Sequence, residues 1–263
     1  MSGAIPQVAA GSARSVIGRM KNVSKDALCR FYGLNDHDDI FEVVSFRRTR
    51  LDRLFVSLIN SGLFGNRKED PYRIALAAWP MVFVHVPKNA GTSISLALYN
   101  RQIQHKSYRC LAAFMPDIID SREVFATYRD PQERFLSAYK FLRSNGTGVV
   151  GVSKNFAALM KGRSTIDEYL DFMERSERIY DLDFTLRPQN WFLKDAAGTI
   201  KVDRLFDISS GNSRLRQYLG DHGVTGLPHV NASGHEAIEL SQRQKARIRA
   251  IYKDDYDLQD CLE

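Results

Sequence analysis

Cysteine is scarce in this chain of 263 residues, and its placement excludes two architectures. Cys29, Cys110 and Cys261 are odd in number and far apart. They form neither a disulfide framework nor a zinc-ligand spacing, and such usage points to a reducing compartment. Long apolar runs are also missing. The strongest, at 81–86, stops at Pro87-Lys88, far short of the roughly 20 residues a membrane-spanning helix needs. The N-terminus carries Arg14, Arg19, Lys21 and Lys25 without the apolar stretch of a signal peptide. A soluble, cytoplasmic protein with no transmembrane segment is expected. Neither sign of charge dominates: 37 basic residues stand against 31 acidic ones, a net +6. That excess suits an anionic ligand or an acidic acceptor, and it is too dispersed for a nucleic-acid partner. No metal-ligand cluster, internal repeat or low-complexity tract is present, so no metal is expected.

What is present is organised around Met81-Val-Phe-Val-His-Val-Pro-Lys-Asn-Ala-Gly-Thr-Ser-Ile94. An apolar β-branched run breaks at Pro87, turns through Lys88-Asn89-Ala90-Gly91, and restarts as a helix at Thr92-Ser93, which runs to about Tyr99. A strand, a tight turn and a helix N-terminus make a phosphate cradle, because turn amides and the positive end of the helix dipole converge. Lys88 adds a full charge at its mouth.

A second strand signal, Glu123 to Tyr128, runs into Arg129-Asp-Pro-Gln-Glu-Arg134. Asp130 suits an N-cap, Pro131 the first helical position, and Glu133 a capping box. Phe135, Ala138, Tyr139 and Leu142 share one face of the helix that follows. A third strand is expected at 203–208. Helices are expected at 47–62, after Ser164 or Thr165, and at about 236–253. The basic group Arg47, Arg48, Arg50 and Arg53 reads as the solvated face of a core-packed helix or as a surface for a membrane or an acidic partner. Residues 144–152 form a Gly-rich surface loop and a candidate lid. Strands alternating with helices imply an α/β fold, a P-loop-type parallel sheet flanked by helices. The division is a partly helical N-terminal extension at 1–79 and one α/β domain at 80–263. Ligands of such sheets bind beyond the carboxyl ends of the strands, where both the Lys88 turn and Arg129 fall.

The Walker signature for ATP places its lysine after the loop glycines. Here Lys88 precedes Gly91, and the second strand ends in Arg129 rather than an acidic metal ligand. A cation there suggests a second anionic group on the ligand and argues against a magnesium-bridged triphosphate. Each residue alone has a plain alternative: Lys88 a solvated strand end, Arg129 the partner of a structural carboxylate, Ser137 a packing residue. Their joint spacing favours a site.

The combination resembles the sulfotransferase superfamily, which uses 3′-phosphoadenosine 5′-phosphosulfate (PAPS). Val86-Pro-Lys-Asn-Ala-Gly-Thr-Ser93 resembles its 5′-phosphosulfate loop. Tyr128-Arg-Asp-Pro-Gln-Glu-Arg-Phe-Leu-Ser-Ala-Tyr139 resembles its 3′-phosphate element, in which Arg129 and Ser137 are the phosphate ligands. Arg187-Pro-Gln189, Pro228-His-Val-Asn-Ala-Ser233 and Tyr252-Lys-Asp-Asp-Tyr256 resemble later motifs of the carbohydrate branch, which is Golgi-type and bacterial. The likeness covers about 80–258. It departs at Thr185, where that branch often has a His, and it lacks the membrane anchor of Golgi relatives, so a bacterial-type enzyme fits better.

The resemblance implies transfer of a sulfuryl group from PAPS to a hydroxyl, of a glycan or glycolipid, without a metal. The donor would be held by Lys88, Asn89, Ala90, Gly91, Thr92, Ser93, Arg129, Ser137, Asn231 and Ser233. Lys88 would also stabilise the leaving group, and Ser93 would hold Lys88 aside until the acceptor arrives. His105 stands where such enzymes carry a base, and it is the expected catalytic partner of Lys88. The other histidines read differently: His85 as structural in a buried strand, His229 as ordering the late loop, His235 as a further candidate. Glu123 and Asp183 are acidic alternatives for the base. Arg134 either pins its helix or lines the acceptor site, and Gln189 either contacts the acceptor or holds a turn. The rivals are an ATP-dependent kinase and a catalytically silent nucleotide- or glycan-binding module. The oligomeric state stays open.

Overall fold

The computed structural model describes residues 53, 56–57, 70–146, 151–152, 154–209, 211–228 and 238–263. Helix α1 (Pro71–Ala77) starts where the Asp70 carboxylate accepts from Tyr72 N at 3.0 Å, with Pro71 at the first helical position. It delivers Leu76 to the core beneath strand β1 (Met81–Val84), all of which is buried. A continuous apolar run is what a parallel strand covered on both faces requires.

The chain leaves β1 through the Pro87–Ala90 turn into α2 (Gly91–Tyr99). It passes α3 (Tyr108–Phe114) and α4 (Pro116–Ile119), and returns as β2 (Glu123–Tyr128). Then come α5 (Pro131–Arg143), α6 (Lys154–Leu159), α7 (Ile166–Arg175), a 3-10 turn at Ile179–Asp181, α8 (Gln189–Leu193) and β3 (Arg204–Asp207). The remainder is α9 (Ser213–Asp221), α10 (Gln242–Ile251), α11 (Lys253–Tyr256) and a final 3-10 turn, Asp257–Cys261.

The strands form a parallel sheet in the order β1-β2-β3, with Met81 opposite Glu123 and Phe125 opposite Arg204. All three carboxyl ends therefore face the same way, and the segments after them share one edge. One apolar core surrounds the sheet. A second lies among α5, α7 and α10, where Phe135, Ala138, Tyr139 and Leu142 meet Tyr169, Leu170, Met173 and Ile248. The fold is thus α/β, a parallel sheet flanked by helices in a single domain.

Several local expectations are corrected. Asp130 does cap α5, accepting from Gln132 N and Glu133 N at 2.9 and 3.1 Å. The capping box does not form, because Glu133 turns to Arg129 Nε at 3.2 Å and Asp130 N donates to Ser209 Oγ instead. The helix expected from 236 begins at Gln242; Ser241 and Gln244 form the true capping box, and 238–240 are not helical. Thr165, not Ser164, caps α7, in a capping box with Glu168. Of the helix expected at 47–62, only Arg53, Val56 and Ser57 are described, in helical conformation. The rest of it, and residues 1–25, lie outside the described residues. In the Gly-rich loop Gly146 pairs with Gly151 as an isolated antiparallel bridge; 147–150 lie outside the described residues.

Candidate nucleotide-binding and transfer site

The turn after β1 has an unusual backbone. Lys88 and Ala90 both adopt positive φ, 68° and 57°, on either side of Asn89. Non-glycine residues rarely do so, and the strain persists only where surrounding contacts over-determine it. Those contacts converge on Asn89, which is wholly buried. Its Nδ2 donates to Thr127 O at 2.7 Å and to Gln189 Oε1 at 2.6 Å, while Thr127 Oγ1 donates to Asn89 O at 2.8 Å. Arg134, also buried, donates from Nε to Pro87 O at 3.0 Å. The turn is therefore clamped to β2 and α5. Its outer face is the start of α2, where Ala90 offers no side-chain cap. The first N–H groups of α2 thus have no side-chain acceptor there, as an anion site needs.

These residues line a cleft of about 430 Å³ at the carboxyl edge of the sheet. Lys88, Ala90, Gly91, Thr92 and Ser93 meet Arg129 and Ser137 there, together with His85 and His105. Arg129 is partly exposed, its Nη1 reaching Lys88 O at 3.4 Å. The Lys88 ammonium rests 4.6 Å from the centre of the Phe141 ring, with no hydrogen bond to Ser93. Burial draws it down to about 8, helped by the Arg129 and Arg134 guanidiniums, while Asp183 pulls the other way. It is still mostly charged at neutral pH.

His105 lies beside this lysine. Its Nδ1 is 3.1 Å from His85 O. A carbonyl can only accept, so Nδ1 carries the proton and Nε2 keeps the lone pair of the neutral ring. Burial holds its protonation down to about 4, and Lys88 and Arg134 push the same way against the backbone bond. The ring lies 3.9 Å from that of His85 and 5.0 Å from that of Phe184, centroid to centroid, tilted to both. Lining by Phe184 and Thr185 continues the cleft on this side. Ile208, Asn212, Leu215, Arg216, Leu227 and Pro228 close the other end.

Other expectations resolve differently. Arg134 pins the turn and does not line the cleft. Gln189 accepts from Arg129 N at 3.0 Å, donates to Arg129 O at 2.8 Å and binds Asn89, so it braces both the turn after β1 and the end of β2. The wholly buried Asp255 accepts from Gln189 N and Asn190 N at 2.8 Å each, which ties the last motif to the same brace. Glu123 is excluded as the base. It sits at the amino end of β2, about 16 Å of strand from Tyr128, bound to Arg204 and Tyr218. Asp183 is buried and accepts from Thr185 N at 2.9 Å and Thr185 Oγ1 at 2.6 Å. His229, Asn231, Ser233 and His235 lie outside the described residues. Phe141 and Phe184 were not foreseen. The signal for Phe141 was its place four residues after Ser137, on one helix face.

The strand–turn–helix element carrying Lys88 thus lies beside a second strand–Arg–helix element, and the two line one cleft at the carboxyl edge of the sheet. The sequence model of the Sulfotransferase family matches residues 78–260. The chain belongs to that family. No match was found among curated proteins or solved structures. Among the described residues no helix is long and apolar enough to cross a membrane, and no group of His, Cys, Asp or Glu could hold a metal ion.

Proposed function

We propose that the protein transfers a sulfuryl group from PAPS to a hydroxyl of a saccharide, on a glycan or glycolipid. The observation that carries this reading is the meeting of Lys88, Arg129, Ser137 and a neutral His105 in one cleft. The uncapped α2 start and the partly exposed Arg129 fit a nucleotide with anionic groups at both ends. PAPS would supply the sulfuryl group itself.

The residues then divide as follows. Backbone N–H groups of Ala90 to Ser93 and the Lys88 ammonium bind the 5′ end; Asn89, its side chain turned inward, has only its backbone to offer. Arg129 and Ser137 bind the 3′-phosphate. Lys88 opposes the charge that builds on the bridging oxygen in an in-line, loose transition state. Its lowered proton affinity also suits donation to the leaving oxygen. His105 Nε2 accepts the hydroxyl proton. Its proton affinity rises when bound anions neutralise Lys88, so binding of the donor would strengthen the base. The aromatic faces of Phe141 and Phe184 suit the C–H face of a sugar ring. Incubation with labelled PAPS and a panel of saccharides tests the reading. Label should appear on at least one saccharide with wild type and about a hundred-fold or more slowly with Lys88→Ala, and equal labelling by both would overturn it.

A further inference from the structure

We infer that His85 is the positioning residue of this site: its buried ring, wedged between Gly91 and the His105 imidazole, couples the seating of the donor loop to the proton acceptor. The inference rests on the role of His105 proposed above.

A strand end covered on both faces usually carries a branched aliphatic residue. Here the position holds an imidazole only 2% exposed, whose Nδ1 lies 3.1 Å from Ile103 O. That bond satisfies one nitrogen and fixes the tautomer, leaving Nε2 without its proton. On one side the ring lies against Gly91. A Cβ built on Gly91 would fall 1.9 Å from His85 Cδ2 and 2.1 Å from Nε2. Glycine at 91 is therefore required by the ring as well as by the ligand. On the other side the ring meets His105 at 3.9 Å with the planes 50° apart. The carbonyl of the same residue accepts from His105 Nδ1. His85 thus holds His105 twice: the carbonyl sets its tautomer, and the ring blocks rotation and excludes water from one face.

The charged and titratable groups facing this pair are Lys88 from the turn, Arg134 from α5 and each histidine for the other. Phe184 covers the remaining face of His105. Burial, chiefly, and the His105 ring hold His85 well below its ordinary range. Both rings are neutral in the working range. An anion settling on the amides of Gly91 and Thr92 bears on His85, and through it on His105.

The test is a nuclear magnetic resonance titration of the His105 ring, with no donor or acceptor present, in wild type, His85→Asn and His85→Phe. Asparagine keeps a donor for Ile103 O and removes the ring; phenylalanine keeps the ring volume and removes the donor. In wild type His105 should titrate near 4. With His85→Asn it should rise toward its ordinary value by about one unit or more as water reaches it. With His85→Phe it should stay close to wild type. In turnover assays His85→Asn should lower kcat by about tenfold or more with the donor KM changed by less than about threefold. An unmoved titration in His85→Asn would overturn the inference, and so would a shift in His85→Phe as large as in His85→Asn. The titration needs no turnover, so it stands even if no sulfuryl transfer is found.

Discussion

Gln189 Oε1 and Asn89 Nδ2 lie 2.6 Å apart, joining residues a hundred positions distant beneath the Pro87–Ala90 turn. The same Gln189 side chain holds Arg129 through both its N–H and its carbonyl. One buried amide thus joins the turn after β1 to the end of β2. Gln189→Ala should leave Asn89 Nδ2 with one bond fewer and Arg129 N without its acceptor. The expected loss is about 1–3 kcal/mol of stability, as for other buried groups stripped of a partner. Donor affinity should fall as well, because Arg129 and the turn would no longer be held in register. Denaturant unfolding and calorimetric titration with 3′,5′-ADP (PAP) measure the two effects. A stability loss with unchanged PAP affinity would show that the brace does not set the spacing.

Lys88→Ala should reduce turnover by about a hundred- to a thousand-fold, the usual cost of removing one preorganised group that meets developing charge. PAP binding should weaken far less, since Arg129, Ser137 and the turn amides remain. Steady-state kinetics with labelled PAPS beside PAP titration separates the two. Equal losses in both would make Lys88 a binding residue only.

Affinity for PAP should also depend on pH. Lys88 in the free protein loses its proton around pH 8. Binding of an anion should therefore weaken as pH rises through that value, and Lys88→Arg should remove the dependence, because arginine stays charged. Isothermal titration at a series of pH values checks both.

How far the sequence disclosed this arrangement differs from residue to residue. The strands at 81–84 and 123–128 were legible from their apolar runs, because a parallel strand covered on both faces leaves a nearly uninterrupted signal; at 204–207 only Leu205 and Phe206 carry it. Lys88, Arg129 and Ser137 were legible as a set because the strand ends and helix starts that carry them follow local rules. Gln189, Arg134 and Asp255 were ambiguous for the opposite reason. Their partners, Asn89, Pro87 and Asn190, are mostly distant in the chain, and only the folded sheet edge brings them together. His85 read as structural because its burial is visible in the apolar run around it, although it follows β1, which ends at Val84, rather than lying in it; contact with Gly91 and His105 is not visible in a sequence pattern. The missing capping box at Glu133 belongs to the same class. The local pattern was present, and a tertiary partner, Arg129, drew the side chain away.

Acid should destabilise the fold through these histidines. A ring whose folded proton affinity is depressed takes up its proton more readily when unfolded. Stability is then fully present above the unfolded value near 6.5 and is lost as pH falls from there toward about 4. His105 contributes on the order of 3 kcal/mol to this loss, and His85 acts with the same sign. Unfolding midpoints between pH 7 and pH 4 should fall for wild type, and fall less for His85→Phe. A flat profile would mean that the rings are not buried neutral.

The central claim, a site for a nucleotide with anionic groups at both its 3′ and 5′ ends, is tested most directly by calorimetric titration of the intact protein with PAP and, in parallel, with magnesium-ATP. Saturable binding of PAP, much weakened by Arg129→Ala and exceeding any binding of magnesium-ATP, is the predicted result. No heat with PAP, or tighter binding of magnesium-ATP, would contradict the account.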